Sequence, residues 1–410
     1  MTYYIDFENG CDCNDGLSES QPKRDYKKLP LKAGDSVLFH RGSFVREPLD
    51  AKKYITYGAY GAGDPPTFCG SVSASEEEDW IPTEDARIWK CTRSFRGEVG
   101  NLIFNDNECT AALRWSKQEL CSQGDFYSVI VCPDPSAVHG GCSELYLYSE
   151  EHPAKAYSRI EVAPYGPRAM VKLSDGMTIE NIRVMNSGVH GMAGQGDGIT
   201  VRGCVFENIG GCPWSKELRV RFGNGFEIWE HGNNIIVENC VFKNIYDSCV
   251  THQGPGSKTV PTVNFVCRNC TFDTYGMAAF EYRDKLPIRS SFINNVCLNA
   301  GCGFAMLGES LPRRSEIWPQ PMGHHIFLWR IPEASEGGSL LISGNTFGAA
   351  PVGAAIYSII SPAAEAQITL SNNKYTQNAT LLNHFGGVSY TDLDAYIEQT
   401  GKDQDSIYLD

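Results

Sequence analysis

Between about Ile179 and Asn378 the chain repeats itself, and that repetition restricts its fold more than any other feature. Seven segments align on one pattern: IENIRVMNS from Ile179, VRGCVFENI from Val201, VENCVFKNI from Val237, CRNCTFDTY from Cys267, FINNVCLNA from Phe292, ISGNTFGAA from Ile342 and LSNNKYTQN from Leu370. The third column reads Asn181, Gly203, Asn239, Asn269, Asn294, Gly344, Asn372, and the sixth reads Val184, Phe206, Phe242, Phe272, Cys297, Phe347, Tyr375. Starts are separated by 22, 36, 30, 25, 50 and 28 residues. A base period in the low twenties with insertions marks a solenoid. The pattern alternates with period 2, so each unit holds strand. No unit has room for a long helix beside its strands, which argues against leucine-rich, ankyrin and tetratricopeptide arrays. It fits a coil of short parallel strands, each rung about 4.8 Å above the last. In such a coil an Asn column can bond along the stack at a turn, and a column of Phe and Cys can fill the interior.

A solenoid of 410 residues can be one long domain. The net charge of −14 disfavours nucleic acid as a partner, since phosphate contacts need clustered Lys and Arg. It also weighs against a polyanionic substrate, although a local basic patch can override the average. Of the 16 cysteines, Cys204, Cys240 and Cys270 share the fourth repeat column and read as a stack of small buried thiols. Stacked columns come close enough for bridging, so disulfides stay open. Cys267 and Cys270 form a lone CxxC with no second pair at zinc spacing, and Cys11 and Cys13 are too close for an ordinary structural zinc pair. No metal or cofactor is expected. The opening MTYYIDFENG has no basic region followed by an apolar run, and no apolar stretch is long enough for a membrane span. With the cysteines, this points to a cytoplasmic location, secretion remaining open if a leader has been removed, and to no membrane partner. Oligomeric state is not readable.

Taken in order, residues 1–74 hold short β runs (Tyr3–Phe7, Ser36–His40, Tyr54–Tyr57) separated by Gly, Asn, Asp and Pro turns, and read as the first rungs and cap. Residues 75–165 break the rung pattern. They are aromatic (Trp80, Trp89, Trp115, Phe126, Tyr127, Tyr146, Tyr148) and read as a β-rich insertion that could wall a cleft. Residues 166–390 carry the regular rungs, with long loops at 210–224 and 308–337, the latter with His324 and His325; loops this long in a compact coil are usually functional. Residues 391–410 place Leu393, Tyr396 and Ile397 at helical spacing, a short terminal helix or cap.

The rungs resemble the right-handed parallel β-helix of carbohydrate-active enzymes, the pectate-lyase-like superfamily. The N-terminal region is similar to the opening of many β-helix glycosidases and lyases, through Asn14-Asp15-Gly16, Gly34-Asp35 with Arg41-Gly42, and the run from Tyr57 to Pro65. The resemblance implies an all-β fold: a single right-handed parallel β-helix with a β-rich N-terminal insertion and a short C-terminal helical cap. It also implies a carbohydrate substrate.

After each repeat pattern the chain enters another strand: GVHGM (188–192), GFEIW (225–229), CVTHQ (249–253), AFEYR (279–283), GFAML (303–307) and AAIYS (354–358). Phe226, Val250, Phe280, Phe304 and Ile356 are expected to point inward, and Glu227, Thr251, Glu281, Ala305 and Tyr357 outward. His190 is expected in the same outward column one rung earlier, and Asp247 at the turn entering the Thr251 rung. Folding alone has no need for Glu, Asp, His and Arg together on one face, although a solvated, salt-bridged face would look similar. Glu227, Asp247 and Glu281 are the candidate catalytic residues. His190, Arg221, Trp214, Trp229, Glu230, Thr251, His252 and Arg283 are candidates for substrate binding, with aromatic faces for sugar rings and guanidinium groups for a carboxylate or hydroxyls; Tyr282 offers a further face.

The expected activity is glycoside hydrolysis by paired carboxylates. Glu227 and Glu281 stand two rungs apart, about 9–10 Å between backbones, which suits inversion; Glu227 and Asp247 belong to adjacent rungs about 5 Å apart, which suits retention. The alternative is a lyase acting at a uronate. Asn224-Gly225-Phe226-Glu227 resembles the NG-x-E strand of alginate lyases and chondroitinase B-like enzymes, but continues as Ile228-Trp229-Glu230-His231 rather than as a basic strand. Arg221, Arg283 or Lys285 would then be candidate bases. A non-catalytic glycan-binding β-helix is the third reading.

Overall fold

The computed structural model describes residues 1–134, 141–307, 322–377 and 381–409. The strands wind into a coil with three parallel sheets. The first has ten strands, from Thr2–Ile5, Ser36–His40 and Thr56–Tyr60 through Thr178–Glu180 to Ile368–Ser371. The second, also ten-stranded, holds the second half of every repeat, as in Val205–Ile209, Val241–Ile245 and Thr271–Tyr275. The third runs Ala169–Leu173, His190–Gly194, Phe226–Trp229, Ser248–Gln253, Ala278–Arg283, His324–Trp329, Ile356–Ile359 and Asn383–Phe385, and ends in one antiparallel strand, Val388–Tyr390. The chain is a right-handed parallel β-helix, as the repeat and the resemblance implied.

The repeat columns have separate physical causes. Every residue of the third column, Asn181, Gly203, Asn239, Asn269, Asn294, Gly344 and Asn372, has φ between 55° and 69°. Each rung turns there through the left-handed region, which Gly and Asn enter at least cost. The eighth column does the same at Asn186, Asn208, Asn244 and Asn299, and its amides bond along the stack, Asn244 to Asn208 at 3.1 Å and Asn208 to Asn186 at 2.8 Å. The sixth column is the core: Phe206, Phe242 and Phe272 stack at 4.3 and 5.0 Å between ring centres, fully buried. The fourth column lines the interior with thiols at Cys204, Cys240 and Cys270, then switches to asparagines. Asn295, Asn345 and Asn373 hand one amide bond to the next at 3.1 and 3.0 Å, and the ladder closes on Asp403 of the C-terminal segment. A buried amide stack is stable only when every member is bonded, and this one is.

Between Thr67–Cys69 and Ala169–Leu173 the chain leaves the coil to form a three-stranded and a six-stranded sheet with their own core, including Trp80, Phe95, Leu102, Phe104, Phe126 and Leu147. A helix, Leu393–Thr400, buries Leu393 and Tyr396 against the C-terminal end, and Ile407–Tyr408 returns as the last strand of the second sheet. Cys11 and Cys13 are joined as a disulfide in the N-terminal turn.

Two expectations are corrected. Gly303–Met306 is a 3-10 turn lying outside the coil, where Phe304 packs on Tyr246; the rung is completed instead by His324–Trp329, with Ile326 inward and Phe327 outward. His324 and His325 are therefore buried strand residues rather than loop residues, because His325 bonds Tyr275 and the Gly348 carbonyl inside the coil. Residues 308–321 of the second long loop lie outside the described residues, as do 135–140 of the insertion.

Candidate active site

The outer face of the third sheet carries the ionisable residues, and its register decides which of them meet. In the strand Phe226–Trp229 the aliphatic and aromatic pair Phe226 and Ile228 fills the coil, so Glu227 and Trp229 stand outward. Glu227 is aligned with Ala193 on one side and with Thr251, Glu281 and Phe327 on the other. Trp229 heads a second outward column through Gln253 to Trp329.

A cleft of about 560 Å³ lies over this face, lined by Glu227, Asp247, His190, Asn224, Trp229, Gln253 and Arg283 from the coil. Its far wall is the hairpin Cys212–Ser215/Val220–Phe222, formed by the loop expected at 210–224, which contributes Trp214, Val220 and Phe222. Tyr165 and Arg168 enter from the segment joining the insertion to the coil. A second cavity of about 420 Å³ adjoins it, with Pro167, Lys172, Ala193 and Gln195 in its lining. Arg168, Glu227 and Trp229 line both cavities. The Arg168 guanidinium lies 5.1 Å over the Trp229 ring, with one nitrogen 3.9 Å from Glu227 Oε1.

Glu227 is buried, and its Oε2 accepts from the amides of Asn224 (2.7 Å) and Gln253. Its Oε1 accepts no hydrogen bond and faces the arginine. Asn224 is fixed in turn by accepting the Ser248 N–H at 3.0 Å, so one asparagine ties the carboxylate to the next rung. Asp247 is buried at the turn before Ser248–Gln253. The pairing of Asn224 with Ser248 aligns Asp247 with Gly223, four residues before Glu227 and one rung along. The two carboxylates share a cleft but are offset by up to about 13 Å of extended chain, wider than the rung spacing alone.

Several candidate residues have other surroundings than expected. His190 is aligned with Ala169 and, through Met192 and Phe226, with Asn224 rather than standing in the Glu227 column, and its Nδ1 comes within 3.7 Å of Glu227 Oε2. Its Nδ1 accepts the Asn224 backbone N–H at 3.0 Å, and His324 repeats the device by accepting from Ala354 at 3.0 Å. Burial lowers the His190 pKa, so the ring is neutral with its proton on Nε2. His252 points into the coil with its ring against Tyr282, and burial depresses its pKa to about 4. The reason is parity: it stands one residue after outward Thr251. Tyr282 is inward for the same reason and bonds Thr262 at 2.7 Å. Thr251 is buried between Glu227 and Glu281 and does not line the cleft.

Glu281 is also absent from the lining. Its Oε2 accepts from Ser248 Oγ at 2.6 Å and its Oε1 from the Trp329 indole N–H at 2.8 Å, so both oxygens are used within the wall. Arg221 is fully buried, donating to the carbonyls of Gly211 and Gly100 and lying 4.4 Å over Tyr246; it pins the hairpin to the insertion. Glu230 sits in the turn after its strand with φ 66° and outside the cleft lining. Lys285 is paired with Glu333 at 2.7 Å, also outside it. The cleft thus brings together Glu227, Asp247, His190, Trp214, Trp229 and Arg283, and adds Arg168, Asn224, Gln253 and Arg330. Arg168 and Arg330 lie in segments without repeat character; Asn224 was legible only as the first residue of the NG-x-E-like run.

Comparison with known proteins agrees on the fold. Residues 165–312 match the family described as the right handed beta helix region. No curated protein sequence matches the chain. Among solved structures, XylC in complex with xylose aligns at 12% identity with a TM-score of 0.53, over 93% of this chain and 62% of that one. The pectate lyase Pel9A aligns at 12% identity and TM-score 0.49, over 99% of this chain and 76% of that one. A GH136 lacto-N-biosidase from Eubacterium ramulus aligns at 12% and 0.37, over 100% and 66%. The chain spans less than two thirds of XylC, and at these identities the likeness is one of fold.

Proposed function

We propose that the protein is a carbohydrate-processing enzyme of the glycoside hydrolase type, with Glu227 and Asp247 as its working carboxylates. The observation that carries this is the position of Glu227: one buried carboxylate lines both of two adjoining cavities, under an Arg168–Trp229 pair that also lines both. A bond that bridges two sugar units needs its catalytic group at the junction of two sites. The exposed ring of Trp214, and the part of the Trp229 ring that Arg168 leaves uncovered, suit the apolar C–H surfaces of sugar rings.

In the reaction, one carboxyl donates its proton to the glycosidic oxygen as the bond from the sugar carbon to that oxygen breaks. The other carboxylate takes a proton from the water that attacks the same carbon, so one bond forms as one breaks and the proton count balances. For that water to fit, the two side chains must converge across their backbone offset until the carboxyls stand about 6.5–9.5 Å apart, whereas about 5 Å would give retention. Glu281, with both oxygens bonded in the wall, acts by orienting Trp329.

The test is a panel of oligosaccharides and polysaccharides assayed for both new reducing ends and unsaturated uronate products. Reducing ends alone are expected. Glu227→Gln should abolish them while the melting curve is kept, since the amide still accepts from Asn224 and Gln253. Unsaturated products would instead establish β-elimination, the second reading, which three arginines in the cleft lining favour. Full turnover by Glu227→Gln would refute the assignment.

A further inference from the structure

Glu227 stands where two cavities meet, yet its free oxygen is shut in. The side chain is 1% exposed, and Oε1 is buried although it accepts no hydrogen bond. A carboxyl that gives or takes a proton must come within hydrogen-bond reach of the substrate. Glu227 cannot move out to meet it. Its Oε2 is held by the amides of Asn224 and Gln253, and its strand is paired on both sides within the third sheet. The group that covers it has to leave instead.

Arg168 is that group. It ends the connecting segment 165–168 and directly precedes the strand Ala169–Leu173. Its guanidinium sits 3.9 Å from Glu227 Oε1 and 5.1 Å over the Trp229 ring, so one side chain covers both the oxygen and the ring face. The hold is weak. At 3.9 Å the contact with Glu227 is an ion pair beyond hydrogen-bond reach, the arginine side chain is 61% exposed, and among the described residues its N–H donors make no hydrogen bond. Arg46, by contrast, grips Glu161 through two bonds of 2.6 and 2.7 Å, and Arg221 is fully buried on two carbonyls. Exposed ion pairs and exposed cation–π contacts are each of small worth, so Arg168 is the part of the cleft that can turn away.

We infer that Arg168 is a guard on the junction: in the free protein it occupies the seat of the sugar unit over Trp229 and covers Glu227 Oε1, and substrate enters by displacing it. This rests on the cleft being the active cleft and deepens that reading. A sugar ring and a guanidinium use the same π face of an indole, so they exclude one another at Trp229. With the guanidinium turned out to solvent, Oε1 opens to both cavities at the point where a glycosidic bond would cross from one to the other. The exchange gives up two weak contacts, a loss that is small beside the binding of an oligosaccharide filling both cavities. Arg168 is therefore a positioning residue, which sets affinity and access without touching the bond that breaks.

The experiment is calorimetric binding in an Asp247→Asn background, which keeps the Arg168–Glu227 contact while removing the other working carboxylate, with and without Arg168→Ala. The probes are xylohexaose, cellohexaose, chitohexaose and hexagalacturonate. Arg168→Ala should bind a recognised probe about three- to tenfold more tightly, the range that two weak exposed contacts allow. Its melting curve should be unchanged, since no hydrogen bond is lost. Binding of a neutral probe to the parent should tighten as salt screens the guanidinium–carboxylate contact, and Arg168→Met, which keeps length without charge, should lose that salt effect. Modification of Arg168 by phenylglyoxal, mapped by mass spectrometry, should rise when the probe binds. Weaker binding by Arg168→Ala, or protection of Arg168 by the probe, would make the arginine a substrate contact and overturn the inference, and so would equal binding by the two proteins. Should no probe bind, hydroxyl-radical labelling of Trp229 decides. Labelling that rises in Arg168→Ala would keep the guard and remove the carbohydrate reading, and labelling that stays level would remove the guard.

Discussion

Asn224→Asp changes one atom type at the base of the cleft and tests how Glu227 is held. The new carboxyl keeps its acceptor for the Ser248 N–H, but the amide that donates to Glu227 Oε2 at 2.7 Å becomes an oxygen. If both groups ionise, two charges at that distance repel by about 6 kcal/mol at an effective dielectric of about 20. Even with half of that lost to side-chain movement and to Arg168, about 3 kcal/mol remains, equivalent to roughly two pKa units. The pair must then share one proton near neutrality. A carboxyl whose pKa is raised by folding binds more proton in the native protein than in the unfolded chain, where carboxyls titrate near about 4. The cost of the substitution is therefore small at or below about pH 4, and grows as pH rises through the folded value. Melting temperatures of wild type and variant across pH 4 to 8, roughly the span set by those values, provide the assay. The expected result is a difference that widens by several degrees towards the alkaline end, with the pH–rate profile moving up. A difference that is constant with pH would refute the contact between Asn224 and Glu227 on which the site is built.

Three other outcomes follow, two from the coil and one from the insertion. Phe242→Ala removes the middle ring of the buried stack between Phe206 and Phe272 and should cost about 3–5 kcal/mol, read as a fall in the denaturation midpoint. Burial pushes the His325 pKa down to about 4, so the folded ring stays neutral while the unfolded chain takes up a proton below about 6.5, and stability is lost as pH falls between those values; His325→Gln should flatten this acid limb of the stability curve by about 3 kcal/mol, measured by urea titration at several pH values. Cys132 and Cys142 are exposed and directly opposed on antiparallel strands. Oxidation should join them, visible as a loss of about two mass units in the peptide that holds both, and closing so short a loop adds about 3 kcal/mol of stability to the insertion sheet.

The sequence columns map onto backbone conformation with little loss. The Asn and Gly column is the left-handed turn at every rung, and the Phe column is the interior stack, because each is dictated by the residue's own conformational cost and burial. Alternation also placed Glu227, Thr251, Glu281 and Tyr357 in one outward column. It failed at His252, counted as neighbouring the site when its parity turns it inward, and at Phe304, where a strand-like GFAML lies outside the coil as a turn. Arg221 read as a candidate for substrate binding, but its guanidinium satisfies two backbone carbonyls that a single sequence segment does not contain.

The sequence by itself determined the solenoid, its period and its inner and outer faces, since these follow from local φ preference and period-2 burial repeated at every rung. Tertiary structure alone decided which outward residues share a cleft. Register between rungs depends on loops of unequal length, so Asp247 falls beside Gly223 rather than Glu227, and Glu281 is consumed by Ser248 and Trp329. The wall that turns an open sheet face into a cleft comes from a hairpin and a connecting segment outside the repeat, and these bring Trp214 into the cleft and Arg168 against Glu227 from positions that no column links to it.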